Sequence, residues 1–253
     1  MNFFNNFNHE KLIIAHRGFR NTYVENSFEA LTNSVKDSDF LEFDIQFTKD
    51  YIPIIHHDET LLRMSEIEKI EDFKDRYPYY IKNFYFDEIK DIDIRGTKLL
   101  KLEDFLVYAY NHHIYFNLEI KDIPQSLRER KAIDIILELI YKYKCEEQVL
   151  ISAFIHRYLE VIRAKDKTVS LALLCENKQP SNIINRLKKI KAQSYNINKE
   201  LVEKELIEKL KKEGIKTLVY TVNDSKIIDE LFEIGIDGVF TDKAYIKEES
   251  KTI

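Results

Sequence analysis

The chain has 253 residues, of which 44% are hydrophobic and 33% charged, and its 39 basic and 44 acidic side chains leave a formal net charge of −5. This length suits one large domain such as a single α/β barrel. The apolar fraction excludes wholesale disorder, and the acidic balance argues against a broad nucleic-acid footprint. Only 5 Gly and 4 Pro are present, where average usage predicts roughly 18 Gly, so collagen-like and flexible-linker chains are excluded too.

Met1–Lys11 has no basic n-region, and the apolar run that follows is only Leu12–Ala15. No later stretch approaches the roughly 18 apolar residues of a membrane span. A soluble, cytoplasmic protein is expected, with surface contact to a membrane left open and the oligomeric state not addressed. Cys145 and Cys175 form no CxxC pair or disulfide framework and read as reduced core thiols.

Strand-type runs occur at Leu12–Ala15, Phe40–Phe47, Ile52–His56, Ile114–Ile120, Val149–Phe154, Ser170–Leu174, Ser194–Ile197, Thr217–Val222 and Gly238–Thr241. Amphipathic stretches of helical period separate many of them. Asn26 with Glu29 reads as a capping box opening a helix that carries Phe28, Leu31 and Val35. In 199–212, Val202, Leu206 and Leu210 recur on one face and Gly214 stops the helix. Alternating strands and helices imply a parallel sheet. Thr48–Tyr51 is too short for a helical crossover, so Ile52–His56 is the return arm of a hairpin on the second strand. Eight barrel strands remain. The expected fold is a (β/α)8 TIM barrel filling the chain as one domain, with 58–105, charged and aromatic and of weak periodicity, as an insertion after the strand-two hairpin.

The chemistry lies in a polar stripe along these strands. In Leu41–Phe47 the apolar Leu41, Phe43, Ile45 and Phe47 share one face, and Glu42, Asp44 and Gln46 the other. Inward carboxylates are costly without a cation or hydrogen bonds. An edge strand facing solvent would show the same alternation, but the pattern recurs: Asn117, Glu119 and Lys121 oppose Phe116, Leu118 and Ile120. The first strand ends in His16-Arg17-Gly18 and the hairpin arm in His57-Asp58. Barrel sites form at the C-terminal ends of strands, where these groups converge. Three carboxylates suit a hard divalent ion, Mg²⁺ or Ca²⁺. Arg17 and Lys121 suit a phosphate, and two histidines suit general acid–base work. The inventory reads as metal-assisted phosphodiester hydrolysis.

The order of these motifs resembles the glycerophosphodiester phosphodiesterase family. His16-Arg17-Gly18, Glu25-Asn26-Ser27, Glu42-x-Asp44, Thr48-Lys49-Asp50, Pro53 and His57-Asp58 follow the family pattern. Leu61 and Arg63, Asn117–Lys121, Ser152-Ala153-Phe154, Thr221-Val222-Asn223 and Gly235–Asp242 continue it. The resemblance implies a barrel, with such an insertion, that hydrolyses glycerophosphocholine or glycerophosphoethanolamine to glycerol 3-phosphate and an alcohol. It implies Glu42, Asp44 and Glu119 as ligands of one divalent cation, His16 and His57 as the acid/base pair, and Arg17 and Lys121 as phosphate contacts. Four positions depart from the pattern. Val24 stands for a proline, Tyr51 for a hairpin glycine, Leu62 for an acidic residue and Tyr220 for a tryptophan expected to line the glycerol or head-group side. Tyr220 and Phe154 are the candidate apolar wall of the substrate site.

The remaining histidines read as structural: His56 points away from His57, His112 and His113 precede a strand at its N-terminal end, and His156 sits in a loop. Asp58 reads as an orienting or capping group. The lysine-rich 186–191 and 209–212 stretches read as solvated helix faces. One rival is a phospholipase D or cyclising lyase of the same architecture acting on intact or lyso-phospholipids, for which the aromatics Phe73, Tyr77, Tyr79, Tyr80, Phe84, Tyr85 and Phe86 would supply an apolar channel. Another is a non-catalytic barrel that binds phosphodiesters.

Overall fold

Strands rich in Leu, Ile, Val and Phe, most of them buried along their length, alternate with one-sided helices, a pattern that buries both faces of a parallel sheet. The computed structural model describes residues 2–245. In chain order, β1 (Leu12–Ala15), α1 (Phe28–Asn33), β2 (Phe40–Phe47) and β3 (Pro53–Ile55) come first. Then follow α2 (Phe86–Ile89), β4 (Leu100–Lys101), α3 (Leu102–His112), β5 (Phe116–Ile120) and α4 (Glu129–Lys142). β6 (Val149–Ala153), α5 (His156–Lys165), β7 (Ser170–Cys175), α6 (Ile183–Lys189) and β8 (Ser194–Asn198) continue the alternation. α7 (Lys204–Lys212), β9 (Lys216–Tyr220), α8 (Ser225–Glu233) and β10 (Gly238–Thr241) complete it.

β1, β2 and β5 to β10 are the parallel strands of a (β/α)8 barrel, closed because β1 pairs with both β10 and β2. The hairpin arm is as expected: β3 runs antiparallel to β2, with Ile45 opposite Ile55 and Phe47 opposite Pro53. β4 adds antiparallel to β3. Alternation sorts the apolar side chains into two layers. Phe43 packs outward with Phe105 of α3 and Phe116 of β5, ring centroids 4.9 and 5.4 Å away. The inward set of Ile14, Phe40, Leu150, Ala172, Leu218 and Phe240 fills the barrel and is met from below by Phe3 and Phe4. Phe3 is held there by its amide, which donates to Gln193 Oε1 at 2.8 Å.

Within 58–105, Leu61, Met64, Ile67, Ile81, Phe84 and Ile89 form a separate apolar cluster around Ile54 of β3. From Leu102 onward the chain is already the barrel helix α3. Two local expectations shift. The cap of α1 is Ser27, whose hydroxyl accepts from the Ala30 amide at 3.0 Å, and not Asn26. The 199–212 stretch breaks into a short 3-10 turn, Lys199–Leu201, and then α7, with Gly214 in the left-handed conformation (φ +69°) just beyond it. No helix of the described residues is long and apolar enough to cross a membrane. Both cysteines are free and buried, and burial pushes the Cys145 thiol up to about 12, so it is inert as a nucleophile.

Candidate active site

Register brings the carboxylates together. β2 and β5 pair with Glu42 opposite Asn117 and Asp44 opposite Glu119, so the polar faces of both strands project into the same end of the barrel. One oxygen from each of Glu42, Asp44 and Glu119 lies within 4.8 Å of the others, and all three residues are buried. Two cations answer them. Lys121 Nζ lies 2.7 Å from Glu119 Oε1 and 3.5 Å from Asp44 Oδ1, and Arg17 Nε lies 3.2 Å from Asp44 Oδ2.

Three carboxylates against two cations leave one charge uncompensated, and a buried unpaired charge costs several kcal/mol. The protein loads this cost on Glu42. Burial, then the charges of Asp44 and Glu119, push its carboxyl well above the ordinary range, and Glu119 rises too through burial and Asp44. For Asp44 burial acts in the same direction, but Lys121 and then Arg17 outweigh it and hold its carboxyl below the ordinary range. Glu42 Oε2 accepts from the Arg17 amide at 3.0 Å, while Oε1 is buried with no partner. An orphaned buried carboxylate oxygen beside two others fits a hard divalent cation, so these residues suit Mg²⁺ or Ca²⁺.

The turn after β1 aims its side chains through three consecutive left-handed residues, Arg17, Gly18 and Phe19. Gly18 (φ +73°) is required twice over, because a Cβ there would sit 2.7 Å from the carbonyl carbon and Cβ of Ala30. Arg17 Nη1 donates to Glu25 Oε1 at 3.0 Å. Arg63 clamps the other side of Glu25 and also reaches Asp58, with Nη2 at 2.6 Å from Glu25 Oε1 and Nε at 2.6 Å from Asp58 Oδ2. This network ties the β1 turn to the hairpin loop.

Each histidine at the cavity rests on a carboxylate. His16 Nδ1 is 2.6 Å from Asp242 Oδ1, and His57 Nδ1 is 2.6 Å from Asp58 Oδ1. An ionised carboxylate only accepts, so each Nδ1 carries the proton and each Nε2 is left as the exchangeable position. Burial lowers the basicity of His16 and Arg17 adds to that, while the bond to Asp242 opposes it.

His16, His57, Arg17, Lys121, Glu42 and Glu119 line one end of a cavity of about 530 Å³. Phe154 and Tyr220 line the same cavity, their rings 6.0 Å apart and edge to face. The Tyr220 hydroxyl donates to the Cys175 carbonyl at 2.6 Å. None of the insertion aromatics Phe73, Tyr77, Tyr79, Tyr80, Phe84, Tyr85 and Phe86 lines this cavity. His56 is buried with Nε2 3.3 Å from the Thr60 carbonyl, and His156 Nε2 lies 2.9 Å from the Leu174 carbonyl. Tyr51 takes the left-handed hairpin position (φ +65°) and its hydroxyl accepts from the Arg128 amide at 2.7 Å.

The family model for the glycerophosphoryl diester phosphodiesterase family matches residues 16–245, almost the whole described chain. The chain belongs to that family. Among its relatives, a glycerophosphodiester phosphodiesterase of Caldanaerobacter subterraneus subsp. tengcongensis is 26% identical over 91% of this chain and 93% of its own. Another, from Bacillus altitudinis, is 29% identical over 94% of this chain and 99% of its own. The fold matches that of an Oleispira antarctica phosphodiesterase solved with the product sn-glycerol-3-phosphate, with a TM-score of 0.81, 22% identity and coverage of 93% of this chain and 94% of that one.

Sequence reasoning missed three supports of this phosphodiesterase centre. Asp242 also accepts from Arg20 Nε at 2.7 Å and Asn223 Nδ2 at 2.8 Å. It lies just past β10, and its motif position was visible without its partner. Asn26, released from capping, has a left-handed backbone (φ +59°) and donates from Nδ2 to Asp44 Oδ2 at 3.0 Å. Glu25 had no sequence signal beyond its motif until Arg63 was found beside it.

Proposed function

We propose that the chain hydrolyses glycerophosphodiesters such as glycerophosphocholine or glycerophosphoethanolamine to sn-glycerol 3-phosphate and an alcohol, with Glu42, Asp44 and Glu119 holding one divalent cation. Bound there, Mg²⁺ or Ca²⁺ supplies Lewis-acid charge to a phosphate oxygen. Arg17 and Lys121 hold the phosphate from the other side and stabilise charge as it grows on the phosphoryl oxygens. One histidine Nε2 takes the proton of the nucleophile, either water directly or the glycerol 2-hydroxyl, the latter giving a cyclic phosphate that water then opens to glycerol 3-phosphate. The other gives a proton to the departing alkoxide, so the proton count balances. The observation that carries the reading is the pairing of two carboxylate-held histidines with the three-carboxylate cluster around a single cavity. Phe73, Tyr79, Phe84 and Phe86 of the insertion pack in their own cluster, Tyr77 and Tyr85 are exposed, and none of the insertion aromatics reaches that cavity, which favours a small hydrophilic diester over a lyso-phospholipid.

The test is glycerol 3-phosphate release from glycerophosphocholine, measured with a coupled dehydrogenase. Release should stop in EDTA and return with Mg²⁺ or Ca²⁺, and His57→Ala should lower kcat by about 10²-fold or more. A His57→Ala protein turning over at the wild-type rate would remove the acid–base assignment. Metal-independent release would remove the cation.

A further inference from the structure

One wall of the cavity carries groups that the hydrolytic reading leaves unused. β7 ends at Cys175 and is followed by Glu176; next to it β8 ends at Asn198, which pairs with Tyr220 at the end of β9. Three adjacent strand ends therefore deliver Glu176, Asn198 and Tyr220 to the same cavity wall. Asn198 Nδ2 donates to Glu176 Oε1 at 2.9 Å, which orients the carboxylate without neutralising it. The Tyr220 hydroxyl donates to the Cys175 carbonyl and also lies against the Glu176 carboxylate, which holds its ring beside both Glu176 and Phe154. Lys199, the other charge on this wall, has its ammonium 4.0 Å from Glu200.

The cavity is thus polarised. Arg17 and Lys121 offer positive charge at the carboxylate-cluster end, where an anion binds. Glu176 and the Tyr220 ring occupy the other wall, and Phe154, whose ring lies 5.8 Å from Lys121 Nζ, stands between the two. A carboxylate beside aromatic rings attracts a cation twice, through its own charge and through the ring quadrupoles. A quaternary ammonium donates no hydrogen bond but still gains from both sources, whereas a primary ammonium adds a charge-assisted bond to Glu176.

We propose that Glu176, oriented by Asn198 and flanked by Phe154 and Tyr220, is the subsite for an ammonium-bearing head group, so that aminated glycerophosphodiesters are preferred over those with uncharged heads. This rests on the hydrolytic reading for its substrates, and a binding arm separates the two. Glu176 is exposed, so its substitution leaves the fold intact, and equal melting temperatures check this. For Glu176→Gln, kcat/KM for glycerophosphoethanolamine and glycerophosphocholine should fall by about 3–10-fold, the range between an exposed ion pair and a charge-assisted hydrogen bond. That for glycerophosphoglycerol should stay within about twofold of wild type. Glu176→Lys should widen the gap further. In EDTA, where turnover stops, calorimetry should show the same selective loss of glycerophosphocholine binding. An equal loss for all three diesters would overturn the proposal by making Glu176 a contact to the shared glycerol. No loss for any would overturn it as well. A wild-type protein that binds glycerophosphocholine through Glu176 but hydrolyses no diester would overturn the hydrolytic reading and support the subsite.

Discussion

Asp242→Asn is the sharpest probe of the centre because it changes charge at a residue that shapes His16 from behind. Asp242 is 2% exposed and accepts from His16 Nδ1 at 2.6 Å, Arg20 Nε at 2.7 Å, Arg20 Nη2 at 3.1 Å and Asn223 Nδ2 at 2.8 Å. An amide keeps the shape but removes the charge that steadies an imidazolium and turns one acceptor into a donor facing donors. A hydrogen bond to a charged group contributes about 1.5–3 kcal/mol. At roughly 1.4 kcal/mol per tenfold in rate, kcat should fall by about 10–150-fold, with KM changing less because Asp242 acts through His16. The bond to Asp242 supports His16 basicity against burial, so its loss should move whichever limb of the pH–rate profile His16 controls to lower pH. The assay is glycerol 3-phosphate release across pH, with a melting curve to show that the variant is folded. A folded variant with kcat within twofold of wild type and an unmoved profile would refute the positioning argument.

Four further outcomes follow from the same geometry. Mg²⁺ or Ca²⁺ should raise the melting temperature, with a gain of about 2.7 kcal/mol at a hundredfold excess over Kd. Glu42→Gln should abolish that gain yet melt no lower than wild type in EDTA, because it removes a like charge from a buried cluster; a lower melt would make Glu42 a stabilising group. His56 is buried, and burial lowers its basicity below the ordinary 6.5. The folded state therefore favours the neutral ring, and the stability this contributes is full above 6.5 and is lost as pH falls below it. Thermal melts between about pH 7 and pH 5 should show a shallower decline for His56→Gln than for wild type, with the slope due to His16 remaining; identical slopes would remove His56 from the account. Gly18→Ala should cost about 2–4 kcal/mol by urea unfolding, from the left-handed backbone and the 2.7 Å clash with Ala30, and an unchanged midpoint would contradict the close approach.

Much of this protein is written locally. Alternation along Leu41–Phe47 and Phe116–Ile120 sets which side chains face the barrel interior, because side-chain direction in a strand follows from chirality and pleat alone. The shortness of the turn after Phe47 dictates a hairpin, and strands separated by helical stretches dictate a parallel barrel. The cluster of Glu42, Asp44 and Glu119 and the two histidines were legible on that basis, together with the order of the motifs. Tertiary structure decided what lies beyond the reach of a segment. Asn26 and Ser27 both suit a helix cap, and only the approach of Asp44 from β2 draws Asn26 away from that role. The register of β2 against β5 sets Asp44 beside Glu119, and no local pattern specifies it. Asp242 meets His16 across 226 residues of chain because β10 closes the barrel onto β1. Closure is a property of the whole sheet, so the partners it creates have no signature in either segment by itself.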